Sequence, residues 1–233
     1  MTKHSSQTSR RNSTSKRRRG VHLEKWWTKG VTSIDVGRRL RIVPRWEMHA
    51  CSNDRVNVVI DPGPAFGVGD HPSTVMALEL LEIAVQDLLR RKDAPTVLDV
   101  GTGTGVLAIA AKSLGAGFTV ALDIDLVSIF TICPRNLELN KGDWNAAAPG
   151  PLCFLVGDVS AVTGCFDIVM ANLAAPVLLR LRDALASHAA GWLILSGIAD
   201  EMREEVVQAF SVGMAPFSRM SRMGWNALLM RTA

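Results

Sequence analysis

From residue 71 onward, apolar positions recur with two different periods, and the alternation between the two predicts the architecture. Pro72 suits the first turn of a helix. Leu78, Leu81, Val85 and Leu88 then mark one helical face through about Arg91. Beyond it, short continuous apolar runs alternate with helical stretches: TVLDV at 96–100, a helix over about 104–114, FTVALD at 118–123, and a helix over 126–140. The alternation continues with LCFLVGD at 152–158, FDIVMANL at 166–173, a helix over 175–188, GWLILSGI at 191–198 and a helix over 200–210. Two last strands fall at roughly 215–221 and 225–231. Unbroken apolar strands separated by helices predict an α/β fold, a mostly parallel sheet with helices on both faces. Pro134 lies inside the helix of 126–140, where an interior proline predicts a break near Cys133.

The front of the chain reads differently. VGRRLRIVP (36–44) alternates imperfectly as a strand ended by Pro44, and VNVVID (56–61) is a second, more apolar strand. Trp26, Trp27 and Trp46 read as packing anchors. Residues 1–20 hold seven basic residues, no acid and almost nothing apolar. Such a stretch buries too little surface to offset its ordering entropy, so residues 1–25 are expected to be a disordered basic tail. An RNA-contacting arm, an organelle transit peptide and a plain solvated tail all suit that composition. The expected organisation is this tail, a linker-like segment with short strands over 26–60, and a catalytic domain over 61–233.

Charge changes the picture once it is counted by position. The formal net charge is +4, which invites a nucleic-acid partner. Residues 1–60, however, carry fourteen Lys and Arg against four acids, whereas residues 61–233 carry twelve against eighteen. A basic front on an acidic body argues against a uniformly basic nucleic-acid-binding domain. Four scattered cysteines, Cys51, Cys133, Cys153 and Cys165, show no C-x-x-C and no metal-ligand spacing with histidine, so reduced thiols and no metal site are expected. No apolar run reaches the roughly 18 residues of a membrane helix, and the N-terminus lacks the apolar core of a secretory signal. A cytoplasmic location follows, or an organelle if the Arg/Ser-rich front is a transit peptide. Tyrosine is absent, so no phenolic group takes part in any mechanism.

In open parallel sheets ligands bind beyond the carboxyl ends of the strands, at the switch point. The strand ends here are Asp99, Asp123, Asp158 and Asn172. The first runs into Asp99-Val100-Gly101-Thr102-Gly103-Thr104-Gly105, a D-x-G-x-G-x-G turn opening a helix. The glycines at 101, 103 and 105 permit a sharp turn and let a ligand lie against bare main chain. A dinucleotide fingerprint needs its third glycine at 106, which is Val106, and this disfavours a nicotinamide-dependent dehydrogenase. S-adenosylmethionine has no phosphate; its ammonium and sulfonium groups prefer oxygens such as the Asp99 carboxylate or backbone carbonyls. Asp123 is placed to accept both ribose hydroxyls, and Asp158 to bond the adenine amine. Taken singly, a strand-end Asp is more often a cap or turn former. Three in register behind a glycine turn point to S-adenosylmethionine.

DPGPAFGVGDHPST (61–74) closely resembles the D-P-G-x-A-F-G-T-G-T-H-P-T-T loop of the PrmA family, methyltransferases of large-subunit ribosomal protein eleven. The similarity continues through VLDVGTGTGVLAIAAKSLGA (97–116), ALDID (121–125), the N-x-x-x-N pair Asn136 and Asn140, FDIVMANLAAPVL (166–178), LILSGI (193–198) and GWNALLMR (224–231). VGRRLRIVPRWE (36–47) is similar to the family's linker segment. The likeness covers about residues 26–233.

The resemblance implies a Rossmann-like class I methyltransferase fold of seven strands, whose C-terminal hairpin inserts one antiparallel strand. It also implies cofactor contacts at Thr74, Gly101, Asp123 and Asn172. Thr74 comes from the resemblance alone, because a threonine in a helix's first turn reads as a capping residue. Phe66, with Gly67 and Gly69, looks like a flap over the cofactor, or else Phe66 is core. The implied activity is transfer of methyl groups to lysine amines of a ribosomal protein; the chain is expected to be a monomer. Asn172, in Asn-Leu-Ala-Ala-Pro, is expected to offer its side-chain carbonyl to the amine or to the cofactor. His71 is a candidate base or a loop-orienting residue, and no discrete general base is assigned. Trp144 and Trp225 are assigned to packing.

The family also carries a separate N-terminal domain that holds the ribosomal substrate, whereas only about 25 residues precede the linker-like stretch here. Asp70 and Ser73 replace two threonines of the loop. These departures leave two further readings: the same fold acting on another protein or a small amine, or a non-catalytic RNA- or ribosome-binding remnant anchored by the basic front.

Overall fold

The computed structural model describes residues 31–63, 69–91, 94–141 and 150–232. A small sheet comes first, of β1 (Ile34–Val36), β2 (Leu40–Pro44) and β3 (Val56–Ile60), with β1 antiparallel and β3 parallel to β2. The run 36–44 is thus not one strand. Chain direction reverses at Gly37, and only the part from Leu40 continues as β2. The main sheet holds β4 (Val97–Val100), β5 (Thr119–Asp123), β6 (Leu152–Val156), β7 (Phe166–Asn172), β8 (Ala189–Ala199), β9 (Met214–Arg222) and β10 (Trp225–Thr232). Their order is β6-β5-β4-β7-β8-β10-β9. β10 runs antiparallel to both β8 and β9, and the other pairings are parallel.

The inner strands β4, β5, β7, β8 and β10 are apolar on both faces because helices cover both, whereas the edge strand β9 is mostly exposed. Val97, Ile168, Ile194 and Leu229 enter one core with α1 (Pro72–Leu89) and α2 (Val106–Leu114). Their neighbours Leu98, Val169, Leu193 and Leu228 enter the other, against α4 (Ala175–Arg180), α5 (Arg182–His188) and α6 (Arg203–Phe210). This two-sided burial is why the strands read as continuous apolar runs rather than alternating ones.

Helix α1 buries more than the predicted stripe. Met76, Ala77, Leu80 and Ala84 are buried as well as Leu78, Leu81 and Val85, because Val36, Leu40, Ile42, Val58 and Ile60 of the small sheet share its core. The buried Glu82 carboxylate adds a polar tie, accepting the amides of Arg38 (3.0 Å) and Arg39 (3.2 Å) beneath the turn between β1 and β2. Residues 31–60 are therefore fastened to α1 through both apolar and polar contacts.

Two helical expectations are corrected. Pro134 does not break the helix of 126–140: a π turn over Ser128–Ile132 runs directly into α3 (Cys133–Asn140), with Pro134 in its first turn. A proline lacks the amide hydrogen that an unbroken α ladder would need, and the wider π turn just before it absorbs the mismatch. The predicted helix over 175–188 is two helices, α4 and α5, jointed at Leu181 (φ −91°, ψ 5°). Among the described residues no helix is long and apolar enough to cross a membrane, and no group of three or more His, Cys, Asp or Glu side chains is arranged to hold a metal ion.

Candidate functional site

The strand order reverses direction between β4 and β7, so a crevice opens beyond their carboxyl ends. A cavity of about 460 Å³ lies there. Gly101, Thr102 and Gly103 form its floor, with Asp123 from β5, Asn172, Leu173 and Ala174 from the end of β7, and Val106 and Leu107 from α2. His71, Ser73 and Thr74 at the start of α1, Gly197 on β8 and Trp225 on β10 complete it.

The glycine turn folds by the logic of its residues. Gly101, Gly103 and Gly105 all take left-handed φ values (+74°, +56° and +83°), which other side chains adopt at a cost of about 1–2 kcal/mol. The Gly101 and Thr102 amides donate to the Leu122 carbonyl at 2.8 and 3.0 Å, and the Gly105 amide closes the turn on the Thr102 carbonyl at 2.9 Å. Asp99 lies fully buried, its Oδ2 accepting from the Thr102 hydroxyl at 2.6 Å. Its Oδ1 has no hydrogen-bond partner. Burial pushes its carboxyl up to about 7, opposed by the Thr102 hydrogen bond and reinforced by the nearby Asp123 charge.

Asp123 faces the turn from the end of β5. Its Oδ2 accepts from the Gly103 amide at 2.9 Å and its Oδ1 from the Asp125 amide at 3.0 Å. Two amides fix the carboxylate's orientation while leaving it lone pairs for a ligand. Asn172 sits at the end of β7, where its Nδ2 donates to the Thr74 hydroxyl at 3.2 Å. Its Oδ1 is buried and without a partner. Buried polar atoms are normally paired, so an orphaned acceptor in a cavity wall is a place for a ligand's donor.

His71 caps α1: its Nδ1 accepts from the Ser73 amide at 3.3 Å and lies 2.8 Å from the Ser73 hydroxyl. Its ring meets Trp225 edge-on, with centroids 5.0 Å apart and planes at 69°. Trp225, assigned to packing from the sequence, thus lines the cavity with His71. Gly197 was also missed. A Cβ there would lie 2.6 Å from the Leu173 carbonyl and 3.1 Å from Asn172 Oδ1, at a φ of +80°. Only glycine lets β8 approach Asn172 so closely. The strand end in LILSGI was the available signal.

Of the residues predicted for the cofactor, the fold brings Thr74, Gly101, Gly103, Asp123 and Asn172 into the cavity wall. Three others lie outside that wall. Asp99 is buried beneath the turn and reaches it through Thr102. Gly105 occupies the cap position of α2, facing Cys133 and Ile109. Asp158 is exposed and caps a short helical turn, accepting from the Ser160 amide at 2.9 Å and from its hydroxyl, contacts that hold its carboxyl below the usual range. Phe66, Gly67, Trp144 and residues 1–30, with Trp26 and Trp27, lie outside the described residues.

The sequence similarity agrees with this geometry. A family model described as ribosomal protein L11 methyltransferase (PrmA) matches residues 2–233. The ribosomal protein L11 methyltransferase of Pelobacter propionicus is 39% identical over 221 residues, spanning 91% of this chain and 68% of its own length. That of Citrifermentans bemidjiense is 40% identical over 217 residues, with the same two spans. Among solved structures, the ribosomal protein L11 methylase from Lactobacillus delbrueckii subsp. bulgaricus superposes with a TM-score of 0.72 at 32% identity, covering 87% of this chain and 100% of that one. A match along nearly the whole sequence makes this chain a member of the ribosomal protein L11 methyltransferase family, PrmA.

Proposed function

We propose that the cleft at the carboxyl ends of β4, β5 and β7 holds S-adenosylmethionine and directs its methyl group onto an amine of a basic protein, with ribosomal protein L11, the substrate in the relatives' names, as the acceptor. The observation that carries this reading is the Asn172 side chain: its amide nitrogen is spent on Thr74 and its carbonyl oxygen is buried without a donor. S-adenosylmethionine has no phosphate to demand a helix N-terminus, and the residues present suit it. Asp123 would take the ribose hydroxyls, and the Gly101–Gly103 backbone with Thr74 would lie along the rest. When bound, the cofactor supplies a methyl group on a positively charged sulfur.

The protein's own residues then have to position a neutral amine. A lysine amine has an ordinary pKa near 10.4 and must lose a proton before it attacks. Leu173, Ala174 and Trp225 line the cavity with apolar surface, which disfavours an ammonium and so favours the neutral form. Asn172 Oδ1 accepts one amine N–H and orients the lone pair. His71 Nδ1 is engaged with Ser73, so the ring serves as cap and wall rather than as a base in this reading.

Twelve basic residues against eighteen acids over 61–233 give the domain a negative field, which suits a basic ribosomal protein. A cytoplasmic location goes with an acceptor carried on ribosomes. The test is calorimetric. The wild-type chain binds S-adenosylmethionine with micromolar affinity and Asp123→Ala abolishes binding; unchanged binding in that variant would remove the assignment of this cleft.

A further inference from the structure

Helix α3 carries two buried asparagines, Asn136 and Asn140, that play no part in the reading above. Their i, i+4 spacing puts both on one helix face, and each amide offers a donor and an acceptor at once. Asn140 uses both on one residue of β3: its Oδ1 accepts the Val59 amide at 2.8 Å and its Nδ2 donates to the Val59 carbonyl at 2.7 Å. The side chain stands where a neighbouring strand's backbone would otherwise pair. A second bond from Nδ2 goes back to the Asn136 carbonyl at 2.7 Å.

Asn136 divides its two groups. Its Oδ1 accepts the Asp61 amide at 2.8 Å, while its Nδ2 donates to the Thr104 carbonyl in the glycine turn at 2.9 Å. From the same helix Cys133 donates its thiol to the Gly103 carbonyl at 3.3 Å. Residues 103 and 104 therefore have their carbonyls turned toward α3, and the Gly103 amide turned toward Asp123 Oδ2. Asp61 is held from its other side too, since its carboxylate pairs with Arg45 at 3.1 Å and with Arg135. It lies where β3 gives way to the segment leading to His71 and Thr74. The π turn before α3 matters here, because it keeps Ile129, Ile132, Cys133, Asn136 and Asn140 in one buried stripe despite Pro134.

We infer that Asn136 is a positioning residue for cofactor binding: by gripping the Thr104 carbonyl it sets the peptide planes of the glycine turn, and so the pairing of the Gly103 amide with the carboxylate of Asp123. Asn140 fastens β3 and nothing in the turn. The inference rests on the proposed use of the cleft for S-adenosylmethionine. The matched variants Asn136→Asp and Asn140→Asp separate the two roles. Each keeps the acceptor for a β3-side amide (Asp61 or Val59), loses a donor and buries a carboxylate, so their costs in stability are of one kind. Only the first sets an oxygen against a carbonyl of the turn.

Calorimetric affinity for S-adenosylmethionine and steady-state kinetics are measured well below each variant's Tm. Asn136→Asp weakens binding and raises the cofactor KM about tenfold, the loss of roughly one hydrogen bond, with kcat nearly kept. Asn140→Asp leaves both affinity and KM within about twofold. The smaller, uncharged Asn136→Ser is the second variant and behaves as Asn136→Asp does. Equal affinity in all three, or equal weakening in all three, overturns the inference while the reading of the cleft stands. Failure of the wild-type chain to bind overturns that reading instead.

Discussion

The amide nitrogen of Asn172 hydrogen-bonds the hydroxyl of Thr74 at 3.2 Å, joining the end of β7 to the first turn of α1 across 98 residues of sequence. The bond fixes which way the asparagine faces: with Nδ2 committed to Thr74, Oδ1 is the atom left without a partner. Thr74 is fully buried, and its hydroxyl is the acceptor that holds the asparagine amide.

Thr74→Val preserves shape and removes this acceptor. The expected result is a kcat about tenfold lower, because the amide is free to turn and its carbonyl loses its aim. The stability cost is on the order of 1 kcal/mol, one buried donor left unpaired. Asn172→Leu lowers kcat further at similar cofactor affinity. Steady-state kinetics with thermal melts on the same samples separate the two effects; a Thr74→Val loss of rate that merely tracks loss of folded protein would assign the pair to structure alone.

Asp99 makes stability depend on pH. Its carboxyl titrates at about 7 when folded, against an ordinary 3.8, chiefly through burial. Between those values the folded state holds a proton that the unfolded state has released. Stability therefore falls as pH rises through that window, by up to about 1.4 kcal/mol per pH unit, and levels off above it. Asp99→Asn keeps an acceptor for Thr102 and removes the titration. Urea unfolding at several pH values is expected to show this slope in the wild type and a flatter profile in the variant.

Lys112 lies at the opposite end of the sheet from the cleft. It is fully buried on α2, and its ammonium donates to the carbonyls of Ala116 (3.0 Å), Gly117 (2.8 Å) and Gly150 (2.9 Å), which precede β5 and β6. Burial holds its pKa below the usual lysine value. Lys112→Met strips three carbonyls of a donor and is expected to cost about 2–4 kcal/mol in denaturant unfolding. The folded fraction should bind S-adenosylmethionine as the wild type does, since none of these groups touches the cavity wall.

Much of this fold was legible because its signals are local. The glycine turn after a buried strand, the strand-end Asp123 and Asn172, and the closing pair of strands each declare themselves within about ten residues. The partnership of Thr74 with Asn172 was not legible from pattern alone, because a threonine in a first helical turn looks like a cap. In the structure the cap is His71. Gly197 and Trp225 escaped for the same reason: a glycine near a strand's end and a tryptophan at another's start acquire meaning only when β8 and β10 lie beside β7. Pro134 misled in a different way, since the rule that proline breaks a helix presumes an α ladder and this helix widens to a π turn. The net charge misled until it was divided between the two ends of the chain.

The most direct test of the account is transfer itself. Purified chain is incubated with methyl-labelled S-adenosylmethionine and isolated ribosomal protein L11, and the products are mapped by mass spectrometry, with Asp123→Ala alongside. The account predicts label on L11 amines from the wild type and none from the variant. Cofactor bound with full affinity but no label on L11, or equal labelling by the variant, would contradict it.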